Sequence, residues 1–196
     1  MMYAFDIYGT LFNVNSIQTF GNNKQLFLEW RRKQLEYTWL TTMMGRYESF
    51  WDITKKALIY VVKKHGLSIN IDEAMKEWLK LKPFDDTIEA LPKIKDKKVA
   101  LTNGDEWMVR ELLQNSGLIK YFDEIISCER VKKYKPAKEV YELVKEAIFV
   151  SSNPWDIAGA HNAGLETIYL NRYGLNLEEI DIGGKIRVIK SLRELL

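Results

Sequence analysis

The sequence has little cysteine and little histidine, which excludes several kinds of stabilising or metal-binding site. Its single cysteine, Cys128, cannot form a disulfide within the chain. Its two histidines, His65 and His161, are far apart in the sequence and form no zinc ligand set with that cysteine. We therefore expect a protein of the reducing cytoplasm with no zinc held by these residues.

Long apolar runs and an excess of charge of one sign are also absent. No apolar stretch approaches the length of a membrane-spanning helix, and the N-terminus has the pattern of a strand rather than of a signal peptide. The 29 Lys and Arg residues nearly balance the 27 Asp and Glu residues, so the net charge is only +2. We therefore expect a soluble, unprocessed chain whose partners include neither a membrane nor a nucleic acid.

Apolar and aromatic residues, in contrast, are plentiful. Hydrophobic residues make up 46% of the 196 residues and include six Trp and ten Tyr. A chain of this length can bury a sizeable sheet, and it is longer than one small domain needs but short for two. We expect one main core with an inserted subdomain.

Short apolar runs alternate with helical patterns over most of the chain. Buried strands are predicted at residues 3–7, 99–101, 124–127, 148–150, 167–170 and 186–189. This alternation predicts an α/β fold, a doubly wound, Rossmann-like parallel sheet with helices on both faces. Gly117 is predicted to end one helix, and Asn153-Pro154 to begin another with the Asn153 side chain as its cap.

The alternation fails between residues 13 and 86. No convincing strand is found there, and helical patterns cover residues 25–44, 47–64 and 72–81. The sequence therefore predicts a Rossmann-like catalytic core, residues 1–12 and 87–196, and a helical cap subdomain, residues 13–86, inserted after the first strand.

Polar side chains follow four of the predicted strands. Ligands of an open parallel sheet bind outside the carboxyl ends of its strands, so we expect these side chains to converge on one crevice. Together they would supply two acids, a cation, hydroxyls and amides. They are Asp6 and Thr10, then Thr102 and Asn103, then Lys135, and finally Ser151, Asn153 and Asp156.

This pattern resembles the haloacid dehalogenase superfamily, in which a nucleophilic Asp follows the first strand in an Asp-x-x-Gly-Thr context, here "FDIYGTLF". Phosphatases of that superfamily usually carry a second Asp two residues after the nucleophile, and Tyr8 stands at that position. Four further motifs are similar to those of the (S)-2-haloacid dehalogenases and extend the resemblance over nearly the whole chain. They are "WRRKQLEYTWL", "LTNG", "YKP" and "VSSNPWDIAGA".

The resemblance implies the hydrolysis of short (S)-2-haloalkanoic acids to (R)-2-hydroxy acids through an aspartyl ester. It implies that Asp6 is the nucleophile, and that Arg31 with Asn103 receives the halide. A leaving halide needs a charge partner rather than a proton, which explains why Tyr8 can replace the second acid. No metal or other cofactor is implied, the partner is a small 2-haloacid, and a homodimer is expected.

The resemblance also implies a set of supporting residues. Lys135 is expected to keep Asp6 ionised, because an opposite charge nearby favours the charged carboxylate. Asp156, with Ser151 and Asn153, is expected to position or activate the water that hydrolyses the ester. Tyr141 corresponds to a tyrosine of the family near this network.

Substrate contacts complete the expected site. Thr10 and Thr102, with backbone N–H groups nearby, are expected to hold the substrate carboxylate and Asp6. Thr102 stands where serine is common in the family and keeps the hydroxyl. An apolar pocket for the alkyl group is expected from Tyr8, Leu11, Leu35, Phe50 and Trp155.

Other interpretations of these residues stay open at this point. Asp156 would lie at the third position of a helix, where a carboxylate also favours the helix dipole, and Arg31 lies in a charged stretch typical of a solvated helix face. The alternatives to a dehalogenase are a magnesium-dependent small-molecule phosphatase that uses Asp6 and a catalytically silent ligand-binding domain. Tyr8 and the motif around Arg31 favour the dehalogenase over the phosphatase. Chemistry-bearing groups at four strand ends argue against a silent domain.

Overall fold

The computed structural model describes residues 1–180 and 184–196. The strands in these ranges are β1 (Met2–Phe5), β2 (Phe12–Asn13), β3 (Lys82–Pro83), β4 (Lys97–Thr102), β5 (Glu124–Ser127), β6 (Ile148–Ser151), β7 (Thr167–Leu170) and β8 (Arg187–Ile189). The helices are α1 (Lys24–Met43), α2 (Phe50–His65), α3 (Ile71–Lys76), α4 (Asp85–Ala90), α5 (Glu106–Asn115), α6 (Lys138–Glu142) and α7 (Pro154–Asn162). None of these helices is long and apolar enough to cross a bilayer.

Six of the strands form one parallel sheet, which confirms the predicted α/β Rossmann-like fold. The strand order is β5-β4-β1-β6-β7-β8, so the chain builds outward from β1 on one side and then returns to build on the other. The short strands are apolar and buried, as expected for a parallel sheet covered by helices. The order reverses at β1, and the carboxyl end of β1 is therefore where a ligand crevice is expected.

The six predicted strands are all present, with ends shifted by at most two residues. The prediction that residues 13–86 contain no strand is wrong. β2 and β3 form a short antiparallel pair in which Phe12 lies opposite Pro83 and Asn13 opposite Lys82. Strands of two residues, one of them containing proline, have no periodicity that a sequence pattern can reveal.

The segment between β2 and β3 is helical, as predicted. α2 begins at Phe50, three residues after the predicted start, because the Ser49 hydroxyl caps it by accepting from the Asp52 N–H. The predicted helix over residues 72–81 is shorter, and a 3-10 turn at Glu77–Leu79 follows α3. α1 packs along α2, and the Trp30 indole donates to the Thr54 carbonyl (2.9 Å).

The two predicted helix boundaries have different outcomes. Gly117 follows the end of α5 with φ of 73°, a left-handed conformation that suits glycine, so this prediction is confirmed. α7 begins at Pro154 as predicted, but its predicted cap is wrong, since the Asn153 side chain makes no capping hydrogen bond. That side chain is instead turned toward the carboxyl end of β1.

Candidate active site

Asp6 comes directly after β1 and is almost completely buried, with 5% of its surface exposed. Its Oδ1 accepts a hydrogen bond from the Lys135 ammonium (3.0 Å). Its Oδ2 accepts from the Thr10 hydroxyl (2.6 Å), the Asn153 amide (2.9 Å) and the Ser151 hydroxyl (3.5 Å). The predicted residues from β1, from the loop before α6 and from the β6 end therefore converge on one carboxylate.

The loop of residues 6–11, which we call the Asp6 loop, folds back beneath this carboxylate. Gly9 has φ of 85°, a conformation that other residues rarely adopt, and it allows the turn that returns Thr10 to Asp6. The Thr10 hydroxyl also accepts from the Ser152 N–H (2.9 Å), which links the loop to the end of β6. Leu11 is fully buried and its carbonyl accepts from the Phe84 N–H (3.0 Å), so Leu11 lies in the protein core.

Asp156 is fully buried and faces the same ammonium. Its Oδ2 accepts from Lys135 (3.0 Å) and from the Ser151 hydroxyl (3.0 Å), and its Oδ1 accepts from the Tyr141 hydroxyl (2.7 Å). Burial raises the pKa of Asp156; the Lys135 charge opposes that rise, the Asp6 charge adds to it, and the Tyr141 hydrogen bond lowers the pKa. The net effect is a raised pKa, which suits a group that takes up a proton near neutral pH.

Lys135 bridges the two carboxylates from a position that is 1% exposed. Burial alone would lower its pKa, but the charges of Asp156 and Asp6 outweigh burial and raise it, so the ammonium stays charged. Buried charges are tolerated when they are paired and hydrogen-bonded, and this arrangement meets both conditions. In the part of the chain that the structure describes, no three His, Cys, Asp or Glu side chains are grouped so that they could hold a metal ion.

Arg31 approaches the same site from α1. Its Nη1 donates to Gln34 Oε1 (2.5 Å), and the Gln34 amide in turn donates to the Thr54 hydroxyl (2.6 Å) on α2. Burial lowers the pKa of Arg31, while the negative charge of Asp6 raises it. Arg31 is therefore fixed by a relay across both helices, and its charge acts on the carboxylate at the end of β1.

Three aromatic rings, which we call the aromatic wall, connect the Asp6 loop to Arg31. They belong to Tyr8, Phe50 and Trp78. The Tyr8 ring stacks on Phe50 (centroids 5.6 Å apart, 23° between planes) and meets the edge of Trp78 (5.6 Å, 74°). The Arg31 guanidinium lies 5.9 Å from the centre of the Trp78 ring. The Tyr8 hydroxyl is buried and has no hydrogen-bond partner among the described residues. The predicted pocket residues Tyr8 and Phe50 are thus in contact, and Trp78 joins them.

The motif at the end of β4, Thr102-Asn103-Gly104, also reaches this cluster. Thr102 is fully buried, and its hydroxyl accepts from the Gly104 N–H (2.9 Å). Asn103 Oδ1 accepts from the Lys135 N–H (3.0 Å), and no protein acceptor within residues 1–180 and 184–196 takes a hydrogen bond from its Nδ2. That amide group is therefore able to donate to a ligand.

Two of the predicted pocket residues make no described contact with this cluster. The Trp155 ring packs edge to face on Trp39 (5.7 Å, 75°) and lines an outer groove beside Met43. Leu35 is half-buried on α1, about one turn after Arg31. Their roles in the pocket, like that of the core residue Leu11, stay predictions that rest on the resemblance.

Sequence reasoning missed two groups of residues that hold the site. Asp105 follows the β4 motif, and its carboxylate accepts from the first N–H groups of α2, those of Phe50 (3.0 Å) and Trp51 (2.9 Å). Arg172 and Tyr173 follow β7 and donate to carbonyls of the Asp6 loop. Ser151 was predicted because side chains after a strand of a parallel sheet tend to line the ligand crevice. The same reasoning applied to the residues after β7 would have found Arg172 and Tyr173.

Comparison with known proteins agrees with this geometry. The family model of the haloacid dehalogenase-like hydrolases matches residues 1–164. Haloacetate dehalogenase H-2 from Moraxella sp. (strain B) is 37% identical, over 90% of this chain and 88% of its own. An (S)-2-haloacid dehalogenase from Pseudomonas sp. (strain YL) is 36% identical, over 90% of this chain and 85% of its own. The solved structure of L-2-haloacid dehalogenase from Xanthobacter autotrophicus with chloropropionic acid covalently bound matches with a TM-score of 0.90 and 29% identity, over 99% of this chain and 96% of that one.

These matches span both the sheet and the helical segment, so they include every strand end that contributes to the site. The resemblance predicted from the motifs is therefore confirmed. The chain belongs to the haloacid dehalogenase-like hydrolases and, within them, to the family of the (S)-2-haloacid dehalogenases.

Proposed function

We propose that the protein hydrolyses short (S)-2-haloalkanoic acids to (R)-2-hydroxy acids through an ester on Asp6, without a metal. The observation that carries this proposal is the pair of buried carboxylates, Asp6 and Asp156, that share the Lys135 ammonium at 3.0 Å each. One carboxylate is held as an anion for attack, and the other has the raised pKa of a group that accepts a proton. Two chemical steps follow from this division.

In the first step, the Asp6 carboxylate attacks C2 of the substrate from the side opposite the halogen. A carbon–oxygen bond forms, the carbon–halogen bond breaks, and its electron pair leaves with the halide, so the configuration at C2 inverts. In this proposal, the Arg31 charge and the Asn103 amide receive the halide, which is supported by the effect of Asp6 on the pKa of Arg31 and by the absence of a described acceptor for Asn103 Nδ2. The substrate carboxylate is held beside Thr10 and Thr102, and the alkyl group lies against the wall of Tyr8, Phe50 and Trp78.

In the second step, water attacks the ester carbonyl carbon of Asp6. Asp156 accepts a proton from the water, with Ser151 and Asn153 orienting the groups around it. The carbonyl–alkoxide bond breaks, the product oxygen leaves with a proton as the (R)-2-hydroxy acid, and the remaining acid proton passes to solvent. Asp6 is then a carboxylate again, beside Lys135.

Two features decide the substrate class. A phosphatase would need an acid to protonate a leaving alkoxide, and position 8 carries a tyrosine whose hydroxyl is buried against Phe50 and Trp78 instead. The Moraxella relative is named for haloacetate, the smallest member of the same substrate class. Chloroacetate therefore belongs among the test substrates.

The test is an assay of halide release from (S)- and (R)-2-chloropropionate and from chloroacetate, with a chelator present. A phosphate ester with magnesium is assayed in parallel. We expect halide from the (S) substrate in preference to the (R) substrate, and none once Asp6→Asn removes the nucleophile. Phosphate release without halide release would refute the proposal, and a fully active Asp6→Asn variant would refute the assignment of the nucleophile.

We infer further that residues 13–86 act as a cap over the sheet and that the enzyme is a cytoplasmic homodimer. The β2–β3 pair closes the base of the helical segment, which supports the cap. Exposed apolar side chains at the end of α1, Met43 (85%) and Met44 (60%), support a self-association surface. Sedimentation equilibrium tests this directly: a Met43→Lys, Met44→Lys double variant is expected to be monomeric, and a monomeric wild type would refute the dimer.

A further inference from the structure

Residues 171–173, which follow β7, form what we call the rim segment. Its side chains reach the Asp6 loop from outside the sheet. The Arg172 Nε donates to the Thr10 carbonyl (2.8 Å), and the Tyr173 hydroxyl donates to the Gly9 carbonyl (2.9 Å). Two consecutive carbonyls of the Asp6 loop are therefore held by two consecutive residues of the rim segment.

The two side chains differ in what surrounds them. The Arg172 guanidinium pairs with the buried Asp86 carboxylate (2.8 Å) and lies 4.2 Å from the centre of the Phe84 ring, so it is fixed within the protein. The Tyr173 hydroxyl is anchored at Gly9, but 39% of the residue is exposed. Tyr173 is therefore the rim residue that is able to contact a ligand.

Tyr173 also lies close to the reacting groups. A Cβ built on Gly9 would be 3.7 Å from the Tyr173 hydroxyl and 3.6 Å from the Asn153 Oδ1, so both side chains cover the same side of Gly9. The amide of Asn153 donates to Asp6 (2.9 Å). Burial raises the pKa of the Tyr173 hydroxyl, and the charges of Arg31 and Asp6 act on it in opposite directions. Tyr173 thus lies on the same side of Gly9 as Asn153, whose amide contacts the nucleophile.

We propose that Tyr173 is a specificity-determining residue of this active site. Its ring, which is partly exposed beside the turn at Gly9 and next to the Asn153 side chain, limits the size of the 2-haloacid that reaches Asp6. Its hydroxyl fixes the turn at Gly9. The proposal rests on the proposed function, because it concerns the same site.

Two substitutions of Tyr173 test the role of its ring and the role of its hydroxyl separately. We would measure kcat and KM for halide release from (S)-2-chloropropionate and (S)-2-chlorohexanoate. Tyr173→Ala is expected to raise the ratio of kcat/KM for the longer over the shorter acid about tenfold, the low end of what one methylene is worth in an apolar pocket. Tyr173→Phe keeps the ring, so the ratio should stay at the wild-type value while kcat on both acids falls about threefold, as for the loss of one hydrogen bond.

Tyr169→Phe is the matched control, because the Tyr169 hydroxyl donates to the Leu175 carbonyl (2.9 Å) and to Asn171 Oδ1 of the rim segment (3.3 Å) but makes no described hydrogen bond to the Asp6 loop. A folded Tyr173→Ala variant with the wild-type ratio would overturn the proposal, as would a Tyr169→Phe variant that shifts the ratio equally. If Tyr173→Ala does not fold, Tyr173→Leu gives the same comparison with a shorter apolar side chain. A wild type that releases halide from no 2-haloacid would instead overturn the proposed function itself.

Discussion

At the scale of single residues, the site depends on how three buried charges are distributed. Asp6 and Asp156 are both less than one-tenth exposed, and one ammonium, that of Lys135, lies within hydrogen-bonding distance of each. Repulsion between two buried carboxylates would otherwise drive one of them to bind a proton. Lys135 therefore decides whether the nucleophile and the proton acceptor are both available.

Removing that ammonium should affect both stability and catalysis. Lys135→Met is expected to lower the free energy of unfolding by roughly 3 to 5 kcal/mol, because it leaves buried charge without a partner, and to abolish halide release. Urea unfolding and the halide assay measure the two effects. Lys98→Met is the control, since Lys98 is also buried but its ammonium contacts the carbonyls of Ile94 and Asp96 and no carboxylate of the described residues. Equal loss of activity in both variants would contradict the assigned role of Lys135.

The pH dependence should report on Asp156. Turnover needs its ionised form, so kcat should fall as the pH falls through the raised pKa of Asp156. Burial raises the pKa of the Tyr141 hydroxyl, which therefore keeps its proton and donates to Asp156, and this hydrogen bond lowers the pKa of Asp156. Tyr141→Phe should accordingly move the acid limb of the kcat profile to higher pH. A profile that moves to lower pH, or that moves equally in Tyr169→Phe, would contradict this reasoning.

At the scale of elements, the start of α2 is held by a carboxylate from the sheet. Asp105 accepts from the Phe50 and Trp51 N–H groups, which have no partner within their own helix. Phe50 stacks on Tyr8, so the same contact sets the position of the aromatic wall. A residue beside the β4 motif thus connects the helical segment to the substrate pocket.

Loss of this contact should weaken both the fold and substrate binding. Asp105→Ala leaves two partly buried N–H groups without an acceptor and is expected to cost about 3 kcal/mol of unfolding free energy, with a raised KM for 2-haloacids. Asp52→Ala is the matched control, because Asp52 lies in the first turn of α2 but is exposed, where such a charge contributes about 0.3 to 1 kcal/mol. A cost for Asp105→Ala no larger than the control would show that the contact is not stabilising.

Elements with a strong local pattern could be predicted from the sequence, and elements defined by distant partners could not. The six sheet strands are runs of buried apolar residues, and α1 and α2 are long enough to show a helical period. The β2–β3 pair exists only because residues about 70 positions apart meet. The Asn153 side chain follows the same principle: its local sequence favours a helix cap, in which its Oδ1 would accept from a backbone N–H, but in the folded chain its Nδ2 donates to Asp6 and to the Tyr8 carbonyl instead.

The charged residues that converge on the site were predictable, and the residues that hold them were not all predicted. Asp6, Lys135 and Asp156 carry charge at strand ends, where the fold brings side chains together. Gln34 carries no such signal, because an amide one turn from an arginine is common in proteins, whereas Tyr173 follows β7 and was missed because the residues after that strand were not considered. Their contacts with Arg31 and with Gly9 depend on the packed structure.

At the scale of the whole molecule, Asp86 on α4 contacts residues that follow β7 and residues that follow β8. Its carboxylate pairs with Arg172 (2.8 Å) and accepts from the Leu192 N–H (2.8 Å) and the Ser191 hydroxyl (3.1 Å). Burial alone would raise its pKa, but these partners outweigh burial and lower it. The Asp86 carboxylate therefore connects α4 to the rim segment and to the 3-10 turn at Leu192–Leu195.

This charge should contribute a pH-dependent part of the stability. Because the folded-state pKa is lowered, the contribution is present above the ordinary value of 3.8 and is lost as the pH falls through the lowered value. Asp86→Asn is expected to cost roughly 3 kcal/mol at pH 7, since Arg172 is left buried and unpaired, and the difference from wild type should shrink in acid. Glu89, on the same helix as Asp86, forms a solvent-exposed pair with Arg193, and Glu89→Gln should cost much less than Asp86→Asn. A pH-independent difference would rule out the charge as its source.

The central position of β1 in the sheet affects when the active site can form during synthesis and folding of the chain. The nucleophile Asp6 precedes the groups that fix it, Lys135 and Asn153, by 129 and 147 residues along the chain. Such distant contacts make folding slow, because the chain must close large loops before they form. No nascent fragment that ends before α7 contains all the groups that contact Asp6, so activity should emerge only after α7 has been synthesised.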